Sequence, residues 1–60
     1  MTEEQKLAIR CAHADLVGAY MARANGDSMC DIDWDCVFQS ISGLEGAFPD
    51  TITAVDLPDL

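Results

Sequence analysis

Asp31, Asp33 and Asp35 alternate through the middle of the chain, and alternating oxygens are how an EF-hand calcium loop opens. The rest of that loop is missing. Its sixth position is Cys36, where a glycine has to turn the backbone, and its twelfth is Ser42, where a bidentate glutamate closes the coordination shell. Carboxylates at the positive end of a helix account for the same aspartates without an ion. Cys11, His13, Cys30 and Cys36 supply four ligands of the types zinc accepts. Two positions apart on a helix, Cys11 and His13 point about 200° away from one another, and no C-x-x-C pair brings two thiolates together. The cysteines therefore read as structural. The same angle keeps Cys11 and His13 from acting as a nucleophile and its base within one subunit. His13, beside Ile9, Leu16 and Tyr20, reads as a packed or half-exposed histidine. Glycine-rich phosphate loops, nucleophile elbows and paired carboxylates in an evident pocket are absent from the pattern. The expectation is a protein that is not an enzyme, with no catalytic residues, no cofactor and no metal.

The elements around these residues begin at Thr2, followed three positions later by Gln5 with Glu3 and Glu4 between, a capping box with acids at the positive end of a helix. Ala, Leu, Met and Arg carry this first helix over residues 3–24, and Asn25-Gly26 is able to take the left-handed conformation that stops it. Around its circumference Leu7, Cys11, Ala14, Val17, Gly18 and Met21 form one apolar side, and Ile9, Leu16 and Tyr20 a second. The two nearly merge, so the helix is expected to pack on more than one neighbour, with its alanines and Gly18 allowing close approach. A second helix is expected over residues 33–44, with Asp33 as its N-cap and Ile32 and Val37 as a hydrophobic staple; starts at Ser28 or Asp31 stay open. Trp34, Val37, Phe38, Ile41 and Leu44 make the most regular helical stripe in the chain. Gly43 and Gly46 read as stop signals, and Pro49 forbids continuation. The β-branched tail, Thr51-Ile52-Thr53-Ala54-Val55-Asp56-Leu57, reads as one short strand over residues 51–57.

Three bases against eleven acids leave a net charge of −8, which repels phosphate and anionic lipid and disfavours direct nucleic-acid binding. Charged residues interrupt both apolar stretches well short of the roughly 20 residues a membrane span needs. An odd number of cysteines and a Met-Thr-Glu-Glu-Gln start without a secretory pattern lead to the expectation of a reducing cytoplasm.

A chain of 60 residues buries only about 60% of its unfolded surface and usually needs a staple. With disulfide and metal set aside, a partner subunit remains. The lone strand points the same way, because its backbone groups need a ladder and no second strand is available within the chain. The expected fold is mainly α, with two helices followed by one short C-terminal strand. Two such chains would form an intertwined homodimer with the strands paired across the two-fold axis. A tail draped loosely over the helices is the competing reading.

The Thr-Glu-Glu-Gln-Lys-Leu opening, the Asp-Ile-Asp-Trp-Asp start of the second helix and the Thr-Ile-Thr-Ala-Val segment together resemble the small early proteins of lambda-like temperate phages, the family encoded between the exonuclease and excisionase genes. The resemblance spans essentially the whole chain through size and layout and contains no diagnostic motif. It implies a dimer with two helices and a strand per subunit, and a role favouring lytic development in a bacterial host. The partners expected are a second copy and a host or phage protein, with neither nucleic acid nor membrane engaged directly. Candidate residues for the dimer or partner interface are Leu16, Tyr20, Trp34, Phe38, Ile41, Ile52, Val55 and Leu57. An apolar groove among Leu16, Tyr20, Trp34, Phe38 and Ile41 would receive a partner helix. The alternative is an acidic decoy that imitates nucleic acid, carried by the cluster Asp27, Asp31, Asp33 and Asp35.

Overall fold

The computed structural model describes residues 1–27 and 31–60. Cys30 as a metal or structural thiol, and Ser28 as a helix cap, lie outside the described residues. The chain forms a helical hairpin, α1 (Glu3–Ala24) and α2 (Trp34–Ala47), and the C-terminal segment then runs back over both helices.

Each helix starts where its capping chemistry places it. The Thr2 hydroxyl accepts from the Gln5 amide at 3.1 Å while the Gln5 side chain accepts from the Thr2 amide at 2.9 Å. Two amide groups left over by the first turn are thus satisfied reciprocally. At α2 the Asp33 carboxylate accepts from the Cys36 amide at 3.2 Å. That aspartate is engaged as the expected cap, and Ile32, the other half of the expected staple, stays half exposed at 51%.

The ends of the helices differ. After Ala24 the chain closes a Schellman turn: the Asp27 amide donates to Ala22 O at 2.8 Å, the Gly26 amide donates to Arg23 O at 3.1 Å, and Gly26 sits at φ +80°. Asn25 keeps a right-handed conformation, so of the two expected stop residues only the glycine is used for its freedom at positive φ. α2 runs to Ala47, beyond the expected end at residue 44, and takes Gly43 and Gly46 inside it. A helical glycine costs only about 1 kcal/mol. Pro49 imposes the stronger constraint, because a residue before proline is pushed out of helical geometry. Phe48 accordingly adopts φ −129°, ψ 56° while its amide still donates to Leu44 O at 2.9 Å.

The segment 51–57, expected as a strand, carries no ladder in the single chain, and no strand occurs among the described residues. The amides of Thr51 and Ile52 both donate to Phe48 O at 3.0 Å, which makes a turn of residues 49–52. Ile52 is driven into the core by that turn. Beyond it the tail is irregular, and its polar backbone groups find side-chain partners on the helices.

Burial concentrates where the three segments meet. Ile41 is completely buried (0% exposed), with Tyr20 and Ile52 also in the core and His13 as the buried polar residue. Tyr20 is flanked by Trp34, edge to face at 6.5 Å and 75°, and by Phe38 at 5.9 Å and 50°; such pairs add about 0.5–1.5 kcal/mol each beyond their area. α1 meets α2 through His13 and Tyr20, on the second of its two apolar sides, where Ile9 and Leu16 are half-buried. The first side stays largely open. The radius of gyration, 12.0 Å, exceeds the roughly 10 Å of a compact chain this long. No helix among the described residues is long and apolar enough to cross a membrane.

The Schellman turn yields a test of the hairpin. Gly26→Ala places a side chain at positive φ, which costs about 1–2 kcal/mol. Urea denaturation should show a loss of that size, whereas Gly46→Ala, inside α2 with open space around it, should hold stability or raise it.

Candidate functional site

One carboxylate oxygen joins three parts of the fold. Glu45 projects from α2 toward α1, and its Oε2 accepts from His13 Nε2 at 2.7 Å and from the Val55 amide of the tail at 3.1 Å. A carboxylate has no proton to give, so His13 donates through Nε2. His13 is itself buried, at 6% exposed, on the side of α1 that faces α2. The second attachment of the tail is the Tyr20 hydroxyl, which donates to Pro58 O at 2.9 Å. Two side-chain hydrogen bonds and the buried Ile52 therefore keep residues 52–60 against the hairpin.

The electrostatics follow from this geometry. The hydrogen bond from His13 holds the Glu45 carboxyl below its ordinary value of 4.5; partial burial opposes that shift, and the Val55 amide and the charge on His13 add to it. A depressed carboxylate stabilises the folded state above its ordinary pKa and loses that contribution as pH falls through the depressed value.

The expected interface residues separate into two groups. Tyr20, Ile41 and Ile52 lie in the core of the single subunit, and Leu16, Trp34 and Leu57 are half-buried. Phe38, at 42%, and Val55, at 37%, present accessible surface. Of the residues expected to line an aromatic groove, Ile41 is completely buried, and Tyr20 and Phe38 border an open hollow. Tyr20, Asp35 and Phe38 share an open hollow of about 350 Å³ with Asp59 and Leu60. Trp34 Nε1 is buried with no hydrogen-bond partner among the described residues, a state that costs about 1–3 kcal/mol.

A second, larger groove of about 490 Å³ runs between α1 and the start of the tail, lined by Arg10, Ala14, Val17 and Gly18 on one wall and by Thr51–Thr53 and Val55 on the other. Nothing in the helical stripe of α2 pointed to this groove, because its far wall is the segment expected to be a strand. Glu45 also escaped notice. Its signal was available, as an acid one turn after Ile41 on the apolar stripe is out of place unless paired.

Among the described residues no group of three or more His, Cys, Asp or Glu side chains converges in a way that could hold a metal ion. Cys11 and Cys36 are exposed free thiols. Comparison with protein-family models, with curated proteins and with solved structures returned no match.

Acid should loosen the tail. As pH falls below 4.5, hydrogen exchange at the Val55 amide is expected to accelerate before the helical amides respond. In Glu45→Gln that step should vanish, with exchange at Val55 already fast at neutral pH. An unchanged pH profile at Val55 in the variant would remove the clasp.

Proposed function

We propose that this chain is a non-enzymatic, homodimeric interaction protein whose aromatic groove takes a segment of a host or phage protein in place of its own C-terminal tail. Its biological setting, on the resemblance of its helix openings and overall layout, is an early protein of a temperate phage, active in the host cytoplasm and favouring lytic development. The observation that carries the physical part is the tail itself. Pro58, Asp59 and Leu60 lie along Tyr20 and Phe38, attached there by one hydrogen bond, while Leu60 remains 57% exposed. An apolar surface covered by so lightly attached a segment suits exchange: an amphipathic helix placing two or three anchors beside Phe38 would bury more surface than Leu60 does.

The homodimer follows from the shortage of buried surface. In its intertwined form, residues 51–57 leave their own helices and pair as antiparallel strands across the two-fold axis. That rearrangement breaks the Val55–Glu45 and Tyr20–Pro58 contacts and replaces them with a backbone ladder. The rival reading, an acidic decoy for a DNA-binding protein, draws on Asp27, Asp31, Asp33 and Asp35, all exposed around the start of α2.

Sedimentation across a dilution series tests the assembly, with a twofold mass at micromolar concentration as the expected result. A chain shortened by residues 58–60 should then retain a bacterial protein more strongly than the full chain does, and Phe38→Asp should release it. Capture that survives moderate salt supports the groove. Capture that collapses as salt rises transfers the function to the acidic surface, and a monomer at every concentration removes the dimer.

A further inference from the structure

The open side of α1 has a regular spacing. Leu7, Cys11, Ala14, Gly18 and Met21 follow one another at intervals of four and three, the a and d positions of a heptad. Leu7 is 55% exposed, Cys11, Ala14 and Gly18 are exposed, and Met21 is half-buried. A Cβ built on Gly18 would meet nothing within 4 Å. The next a positions, Glu4 and Asn25, close this seam at both ends.

Its flanks carry complementary charge. In the same frame Arg10 is a g position and Asp15 the following e position. The ion pairs found among the described residues are Lys6–Glu3 and His13–Glu45, so neither Arg10 nor Asp15 is paired among them. Five positions apart, they cannot pair with each other on one helix, where neighbours stand three or four apart. From g to the next e is, however, the pairing made between two parallel helices. In an antiparallel pair like flanks meet, and neither residue would face its opposite.

The subunit also has surface to hide. Its accessible area is 4278 Å², against about 3,800 Å² for a folded chain of 6.5 kDa. The groove beside the seam places Arg10 at the edge of a wall made by Thr51–Thr53 and Val55, so a second helix laid on the seam would also be bordered by the tail.

We infer that a second copy of this chain docks here, α1 parallel to α1, with Arg10 of each copy facing Asp15 of the other and the Leu7–Met21 seam between them. The inference rests on the homodimer proposed above and is independent of strand pairing. A parallel two-fold places equivalent residues opposite each other, so Cys11 faces Cys11. Gly18 faces Gly18, which lets the two backbones approach closely.

The test is a chain carrying Cys30→Ser and Cys36→Ser, oxidised with diamide at a concentration where sedimentation shows a dimer. A covalent dimer through Cys11, reversed by reductant, is expected. A matching chain that keeps only Cys36 should cross-link far less. Arg10→Glu or Asp15→Arg alone should weaken dimerisation about tenfold, as two ion pairs become two repulsions, and the double reversal should restore it. Gly18→Leu should keep or raise the helical circular dichroism while losing the dimer. A dimer that does not cross-link through Cys11, or one indifferent to the charge reversals, overturns the seam and leaves the homodimer standing. A monomer at all concentrations overturns both.

Discussion

The subunit hangs on Glu45, because one of its oxygens is, among the described residues, the only atom that hydrogen-bonds α1 and the tail to α2 at the same time. Burying a carboxylate is costly unless its lone pairs are filled, and His13 and the Val55 amide fill them. The arrangement lets a chain with little apolar material use a polar contact to locate its third segment. Ile52 enters the core, and the hydrogen bond at Val55 decides where the chain goes after it. The tail is thereby anchored at its start by burial, at its middle by a charge and at its end by the Tyr20 hydroxyl.

These contacts explain why a segment with the composition of a strand is not one in the single subunit. β-branched residues suit a pleated surface, but the preference is contextual and small. With no neighbouring strand, the backbone of residues 51–57 must take whatever acceptors and donors are near. Phe48 O captures the first two amides as a turn, and Glu45 captures the Val55 amide. The β-branched composition of the tail therefore yields no strand among the described residues.

Much of the fold was legible because it rests on local rules. The Thr2–Gln5 box, the Asp33 cap and the glycine stop after α1 each act within a few residues, so the sequence alone defines them. Gly43 and Gly46 suggest an end to α2 at residue 44, whereas the helix runs to Ala47 just before Pro49, because proline's steric veto is far stronger than glycine's propensity cost. The interface residues divide for another reason. Periodicity identifies which side chains are apolar on one face, and it cannot say whether that face closes against the chain's own helix or stays open. Tyr20 and Ile41 closed, and Phe38 did not. The Glu45–His13 contact joins residues 32 positions apart, and no local pattern announces such a pair.

The two apolar sides of α1 resolve the remaining puzzle of size. A single helix of 14 residues, α2, can cover one side of α1, and it covers the side that holds His13 and Tyr20. Had the other side been polar, the subunit would be a complete, if marginal, hairpin. It carries Leu7, Cys11, Ala14 and Gly18 instead, a face too apolar for solvent yet too small-featured to have been shaped for a large aromatic anchor. Small side chains gain little by burial unless the opposing backbone comes close, and another helix with an equally flat surface is the partner that allows this. In the proposed parallel dimer, the α1 of a second copy supplies that surface.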